Sequence, residues 1–229
     1  MKIKLLLLLL VVSCATVKLS GRPDGLEIHE IQSIVELEQW VVPDTLVLFD
    51  LDNTVFEVTD PVGNALFYNY LMKAHSGEEY KALPRIWAVL QKSDVRPVES
   101  RTVETIQKLQ DRGVRLMAFT ARDLTVLDAT LRQVKSLGID FSRTALKRHS
   151  KYVHEGILFA TMRTSKGDAL KAYLDGADFQ PKRIVLIDDL EKNLVSVCKI
   201  TGAIGLYYPV IEKRGEWDEK EAKRRWLSQ

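Results

Sequence analysis

Thr45-Leu46-Val47-Leu48-Phe49 is an unbroken apolar, β-rich run, and Asp50-Leu51-Asp52-Asn53-Thr54 follows it at once. A strand with one face in water alternates apolar and polar residues, so an unbroken run is the pattern of a strand buried on both faces. Such strands sit inside parallel sheets covered by helices. The rest of the chain repeats that unit. Val103, Ile106 and Leu109 predict a helix that stops at Gly113, before the strand Val114-Arg115-Leu116-Met117-Ala118-Phe119. Leu124, Leu127, Leu131 and Val134 predict a second helix ending near Gly138, and Ala169, Leu170, Tyr173 and Leu174 a third ending near Gly176. The strand Ile184-Val185-Leu186-Ile187, a helix near Asn193–Ile200 and a strand near Ile204–Tyr208 complete the series. Alternating helices and apolar strands mean right-handed βαβ units. The expected fold is a three-layer α/β Rossmann-like parallel sheet.

Two segments break the rhythm. Residues 55–100 carry Phe67, Tyr68, Tyr70, Leu71, Tyr80 and Trp87, partly at helical spacing. They read as a small helical cap inserted after the first strand, near 58–98, with its aromatics packing within it. Residues 142–165 are short and mixed, and Tyr152–Met162 reads as a strand or hairpin. Before the first strand, Ile28, Ile31, Ile34, Val35 and Leu37 predict an amphipathic helix up to Trp40. The tail Glu216–Trp226 alternates charge signs and reads as a solvated helix. Gly167 and Gly176 read as ordinary turn and cap glycines. The domain reading is 1–13 signal, 14–27 lipidated N-terminus and tether, and 28–229 catalytic fold with its cap.

The N-terminus is a targeting segment. Met1-Lys2-Ile3-Lys4 precedes an apolar run from Leu5 to Val12, then Ser13-Cys14. That run spans about 12 Å as a helix, against the roughly 20 residues that a crossing needs. Val11-Val12-Ser13-Cys14 resembles the bacterial lipoprotein box. The resemblance implies cleavage before Cys14, lipid on Cys14 and a membrane-anchored protein facing the periplasm or cell surface; acyl chains contribute about 0.8 kcal/mol per buried CH₂. Of the 33 Lys+Arg in the chain, cleavage removes Lys2 and Lys4 and leaves 31 against 31 Asp+Glu. That balance gives no electrostatic case for nucleic acid. Cys198 is then the one remaining thiol and reads as a small buried hydrophobe. His29, His75, His149 and His154 show no zinc-ligand spacing.

The chemistry gathers at strand ends, where open parallel sheets bind ligands. The first strand ends in Asp50 and Asp52, the second in Thr120-Ala121-Arg122, the third in Asp188-Asp189, and Lys166 precedes the helix leading to the third. Any one of these serves equally well as a cap or turn residue; the ordered set suits phosphoryl transfer through an aspartyl-phosphate. Asp50 is the expected nucleophile. Asp52, two residues on, is the expected general acid and then base. Clustered carboxylates repel each other and a phosphate, which calls for a divalent cation such as Mg²⁺. Lys166 neutralises a phosphate oxygen and Asp50, and the Thr120 hydroxyl with nearby N–H groups holds the other oxygens. Asn53, Thr54, Ala121 and Arg122 join them as candidate phosphate- or substrate-binding residues. For Arg122 a salt bridge at a helix start is an equal reading, and Asn193 reads as a helix residue before a metal neighbour.

These motifs resemble those of haloacid dehalogenase-like phosphohydrolases. Asp50-Leu51-Asp52-Asn53-Thr54 matches that superfamily's Asp-x-Asp-x-Thr, Thr120 its second motif, Lys166 its third and Asp188-Asp189 the paired-aspartate form of its fourth. The resemblance covers about residues 28–210. It implies Mg²⁺ bound by the side chains of Asp50 and Asp188 and the carbonyl of Asp52, with Asp189 in support. Dehalogenases lack the second aspartate and the ATPases place Thr there, so Asp52 favours a phosphatase or phosphomutase. Pro61-Val62-Gly63, Thr120-Ala121-Arg122 and Gly138-Ile139-Asp140-Phe141-Ser142 are similar to a small bacterial branch of that superfamily with no assigned substrate. The expected function is Mg²⁺-dependent hydrolysis of a small phosphorylated substrate; no protein partner is inferable. The alternatives are phosphotransfer at the same residues, or a surface lipoprotein that keeps the fold as a binding module.

Overall fold

The structure, a computed structural model, describes residues 25–74, 81–161, 164–177, 179–215 and 217–228. The expected signal segment, Cys14 and the expected tether up to residue 24 lie outside the described residues. In chain order the elements are β1 (Ile28–Glu30), β2 (Thr45–Phe49), β3 (Phe56–Val58), α1 (Ala65–Ala74), α2 (Leu83–Leu90), β4 (Val95–Pro97), α3 (Thr102–Asp111), β5 (Arg115–Thr120) and α4 (Leu127–Ser136). They continue with β6 (Val153–His154), β7 (Ile157–Phe159), α5 (Lys166–Leu174), β8 (Arg183–Asp188), α6 (Glu191–Thr201), β9 (Ile204–Tyr207), α7 (Val210–Arg214) and α8 (Glu219–Leu227).

One sheet holds seven strands in the order β1-β9-β8-β2-β5-β7-β6. All its pairings are parallel except β6 with β7. This is an α/β Rossmann-like fold. The unbroken apolar run lies at its centre: β2 is buried along its whole length between β8 and β5. Strand geometry sends alternate side chains to opposite faces, and the two cores divide accordingly. Val47, Phe49, Leu116, Ala118, Val185 and Ile187 enter one core with Ile106 and Leu109 of α3. Leu46, Leu48, Met117, Phe119 and Leu186 enter the other with Leu170 of α5 and Leu194 of α6. Cys198 is buried in this second core.

Residues 56–97 leave the sheet after β2 and return before β5. β3 and β4 pair antiparallel at the root, and α1 and α2 lie between them. A third apolar cluster joins Phe67, Leu71 and Ile86 of this insertion to Val126. The C-terminal helix belongs to the same cluster. Ala222 is fully buried, Trp217 and Trp226 pack against Phe67, and Arg225 bonds Asp60 at 2.7 Å. The solvated tail expected from its charge pattern is therefore corrected. Its apolar residues are few, and the charges between them hide the buried stripe.

The helix expected from Ile28 to Trp40 also divides. Ile28–Glu30 forms a strand that covers the β9 edge, and a 3₁₀ helix runs from Ile34 to Trp40. Ser33 at an extended φ of −144° separates them, with Glu36 accepting from its N–H at 2.9 Å. Spacing by three satisfies a 3₁₀ turn as well as an α-helix, and an unpaired sheet edge favours the strand. The region 142–165 holds the β6–β7 hairpin. Its turn places Glu155 and Gly156 at φ of 47° and 76°, the left-handed pair that a tight two-residue hairpin requires.

Gly167 is a packing residue rather than an ordinary turn glycine. It is the second residue of α5, and a Cβ there would lie 2.3 Å from the Ser196 carbonyl oxygen of α6. Only a bare Cα lets the two helices meet this closely. Gly167→Ala is expected to lower unfolding stability by about 1–3 kcal/mol through overpacking, read from urea melts. A loss too small to resolve would mean that α5 and α6 part without strain.

Candidate active site

The strand order brings three polar strand ends together. β2 lies between β5 and β8, with Phe49 in register with both Ala118 and Ile187. Asp50 therefore emerges beside Asp188, and its N–H bonds the Ile187 carbonyl at 2.9 Å. Lys166 reaches both carboxylates from the first residue of α5. Its Nζ lies 2.5 Å from Asp50 Oδ1 and 2.7 Å from Asp188 Oδ2. Ser165 fixes that helix start by accepting from the Asp168 N–H at 3.1 Å. Asp50, Lys166 and Asp188 are 6%, 3% and 0% exposed, so the triad is screened from water.

The two adjacent aspartates do different things. Asp188 Oδ1 accepts from the Leu190 N–H at 2.8 Å and from Asn193 Nδ2 at 3.0 Å. Its Oδ2 accepts from Lys166 and from Asn193 at 3.1 Å. Asn193 is thus part of the site, not merely a helix residue. Asp189 is half-buried and lines the pocket with Asp50. One carboxylate oxygen from each of Asp50, Asp188 and Asp189 lies within 4.8 Å of the others. Burial pushes the Asp50 carboxyl up to about 8, against the pull of Lys166 and with repulsion from Asp188 and Asp52 added. Burial, then Asp50 and Asp188, also raises Asp189. Burial opposes the Lys166 charge, but Asp188 and Asp50 outweigh it and raise its pKa. Three close carboxylates facing one lysine form an oxygen donor set with excess negative charge, which fits Mg²⁺.

Asp52 is held from the opposite side. Both of its oxygens accept from Arg122, at 2.7 Å from Nε and 2.7 Å from Nη2. Arg122 Nη1 donates to Thr130 Oγ1 at 3.1 Å and Gln133 Oε1 at 2.6 Å. Of the five N–H groups on a guanidinium, only one is then left for a phosphate oxygen. The Thr120 hydroxyl accepts from the Arg122 N–H at 3.1 Å and lines the pocket with Ala121. Asn53 and Thr54 are not brought to the pocket. Both are buried, Asn53 at a φ of 57° in the turn after Asp52, with no hydrogen-bond partner for either side chain. That turn is closed by the Leu51 and Phe56 carbonyls and draws both side chains inward.

A cavity of about 290 Å³ opens over Asp50. Tyr68, Ile86, Trp87 and Leu90 of the insertion, with Val126, form an apolar wall opposite the carboxylates. Tyr68 packs against the apolar cluster of the insertion, as expected, and also lines this cavity. Gln133 and Thr130 carried no motif signal. Their trace in the sequence is that two polar residues stand at buried positions of α4.

A family model described as "Protein of unknown function (DUF2608)" matches residues 26–226. The chain belongs to that family. This DUF2608 member is 26% identical over 195 residues to a Chlamydia pneumoniae protein named "Putative outer membrane protein", covering 78% of this chain and 74% of that one. A Chlamydia trachomatis protein of the same name is 24% identical over 189 residues, covering 75% and 70%. Among solved structures it is similar to a haloacid dehalogenase-like family hydrolase from Streptococcus pneumoniae. That match has 15% identity and a TM-score of 0.48, and covers 71% of this chain and 83% of that one. No helix among the described residues of the DUF2608 chain is long and apolar enough to cross a membrane.

The electrostatics of this DUF2608 site have a measurable consequence. A carboxyl raised in the folded state binds protons that the unfolded chain has lost, so stability falls as pH rises between the two values. For Asp50 that window runs from 3.8 to about 8, and Asp189 acts in the same direction. Lys166 shifts above its ordinary value of 10.5 and leaves the window unchanged. The metal-free protein is expected to melt at a lower temperature at pH 8 than at pH 5.5, and Mg²⁺ to restore much of the difference at pH 8. A melting temperature flat across this range, with and without Mg²⁺, would contradict the charge balance.

Proposed function

We propose that this protein is an exported, Mg²⁺-dependent phosphomonoester hydrolase working through an aspartyl-phosphate on Asp50. The observation that carries this reading is the place of Asp50. It ends the central strand, gives one oxygen to Lys166, and opens onto the cavity with the other oxygen unbonded among the described residues.

In this reading an Asp50 oxygen attacks phosphorus and the ester P–O bond breaks. Asp52 gives a proton to the departing oxygen. Water then attacks the aspartyl-phosphate, Asp52 takes its proton, and the Asp50–phosphorus bond breaks to release phosphate. Lys166 faces the charge gathering on the phosphoryl oxygens, and Thr120 orients one of them. Bound Mg²⁺ would supply charge neutralisation and hold the phosphoryl group in line. Asp50 and Asp189 would hold it by side-chain oxygens. Asp188, whose oxygens already take four hydrogen bonds, would chiefly hold Lys166 and Asn193 in place. This exchanges the roles that the superfamily resemblance implies for the two aspartates.

We read α1 and α2, rooted on the β3–β4 hairpin, as a cap over the leaving group. Its apolar wall of Tyr68, Ile86, Trp87 and Leu90 suits a leaving group with an apolar or aromatic face, and the cavity volume suits a small one. The export reading rests on residues 1–14, with lipid on Cys14 as the anchor. The envelope wording in the names of both chlamydial relatives supports it.

The test is hydrolysis of an aryl phosphate by residues 15–229 with Mg²⁺, with chelator, and with single variants. Turnover is expected to need Mg²⁺ and to fall by at least about 1,000-fold in Asp50→Asn, as loss of a nucleophile does. Asp189→Asn should raise the Mg²⁺ concentration for half-maximal activity more than Asp188→Asn does. Turnover that survives Asp50→Asn would exclude the aspartyl-phosphate, and a folded protein with neither turnover nor Mg²⁺ binding would leave a binding module.

A further inference from the structure

We infer that Gln133 is a positioning residue that couples the seat of the cap to the orientation of Asp52, an inference that rests on the hydrolase reading above. Gln133 lies on α4, touches no cavity-lining carboxylate, and is fully buried. Its amide works in two directions. Oε1 accepts from Arg122 Nη1 at 2.6 Å, while Nε2 donates to the Ser93 carbonyl at 2.9 Å and the Leu90 carbonyl at 3.2 Å. Leu90 is the last residue of α2 and Ser93 lies three residues beyond it, so both carbonyls belong to the turn that closes this cap helix.

Only one orientation of this amide satisfies the site. Turned over, it would press an NH₂ against a guanidinium that can only donate, and an oxygen against two carbonyls that can only accept. Thr130 fixes the other contact on the same Arg122 nitrogen. Its hydroxyl donates to the Val126 carbonyl at 2.8 Å and therefore meets Arg122 as an acceptor. With Nη1 fixed twice, the plane of the guanidinium is fixed, and so is the carboxylate lying against its fork. The path from the cap to Asp52 is a chain of direct hydrogen bonds: Leu90 and Ser93 carbonyls, Gln133, Arg122, Asp52. Two further bonds seat the same turn, from Arg132 Nη2 to the Ser93 carbonyl at 3.0 Å and from Gln91 Nε2 to the Thr125 carbonyl at 2.9 Å. The cap turn and the Asp52 carboxylate thus share one network, and loosening either end frees the other.

Asp52 has to face the departing oxygen and then the attacking water, so its orientation bears on turnover more than on substrate binding. In the full mature chain, Gln133→Met keeps the volume and removes the three bonds of the Gln133 amide, to Arg122, Leu90 and Ser93. On an aryl phosphate with saturating Mg²⁺ it is expected to lower kcat by about 10- to 100-fold, the scale of a small misplacement of a reacting group, and to change KM by less than about 3-fold. Gln133→Glu keeps an acceptor for Arg122 but sets an oxygen against the cap carbonyls. It should recover only part of the kcat lost in Gln133→Met, because the loosened cap turn still frees Asp52, and it should raise KM. In an Asp52→Ala background Gln133→Met should cause almost no further loss, because coupled residues are non-additive. If Gln133→Met fails to fold, Thr130→Val enters the same cycle with the same expectation.

A kcat within about 2-fold of wild type, or a Gln133→Met loss that persists in full without Asp52, would overturn the inference. A separate readout needs no turnover. The Arg122 Nε–H, held by Asp52, should exchange slowly with solvent in wild type and quickly in Gln133→Met; equal exchange in both would also overturn it. Failure of the hydrolase reading itself is distinguishable, since it appears as turnover that survives Asp50→Asn or as no turnover in the folded wild type, whereas the Arg122 exchange readout needs no turnover.

Discussion

The Lys166 ammonium buried between Asp50 and Asp188 is the contact around which the rest of this protein is arranged. Taking three charges out of water is expensive, and the attraction among them repays that only when the geometry is close and the remaining lone pairs are filled. Both conditions are built in. β2 and β8 are neighbours in register, which sets the two carboxylates side by side, and α5 begins with the lysine that meets them both. Asn193 and the Leu190 N–H then fill the oxygens of Asp188. A single turn of slack in α5 would part the lysine from its partners. This explains why that helix is pressed on α6 through a glycine, with the Gly167 N–H donating to Ser196 Oγ at 3.1 Å.

Around this triad the sheet is the rigid part and the insertion the added part. The sheet has its own two cores, one on each face. The insertion cannot bury its apolar face alone and draws on elements distant in sequence. Trp217 donates to the Pro61 carbonyl at 3.1 Å, the Arg85 guanidinium lies 3.8 Å from the centre of the Trp226 ring, and Ala222 fills the space between. The C-terminal helix is therefore a strut for the insertion, in addition to the α4 contacts to Leu90 and Ser93. Held at two places, the apolar wall of the cavity has a defined distance from the carboxylates.

How far the chain could be read without its structure follows from which forces leave a mark in one dimension. Burial on both faces leaves an unbroken apolar run, so β2, β5 and β8 and their polar ends were legible, and with them Asp50, Thr120 and the Asp188-Asp189 pair. Spacing by three does not tell a 3₁₀ turn from an α-helix, and the need to cover the β9 edge is a property of the sheet, so β1 was read as helix. Asn53 and Thr54 sit in a polar-looking motif, yet the turn that follows Asp52 points them into the interior. The Gln133 network was illegible for a different reason. Its partners at one end are backbone carbonyls some 40 residues earlier, which any sequence supplies equally.

Burial and hydrogen bonding set the two paired aspartates apart. Asp188 is the last residue of β8 and fully buried, whereas Asp189 follows the strand end and is half-buried. One enters the buried triad with Lys166 and Asn193, and the other meets the cavity. Just past the end of β2, Asp50 and Asp52 both line the cavity while Leu51 between them is fully buried. Past the end of β2 two carboxyl groups line the cavity, and at the end of β8 Asp189 lines it while Asp188 does not. The role exchange proposed for Asp188 and Asp189 follows from that geometry.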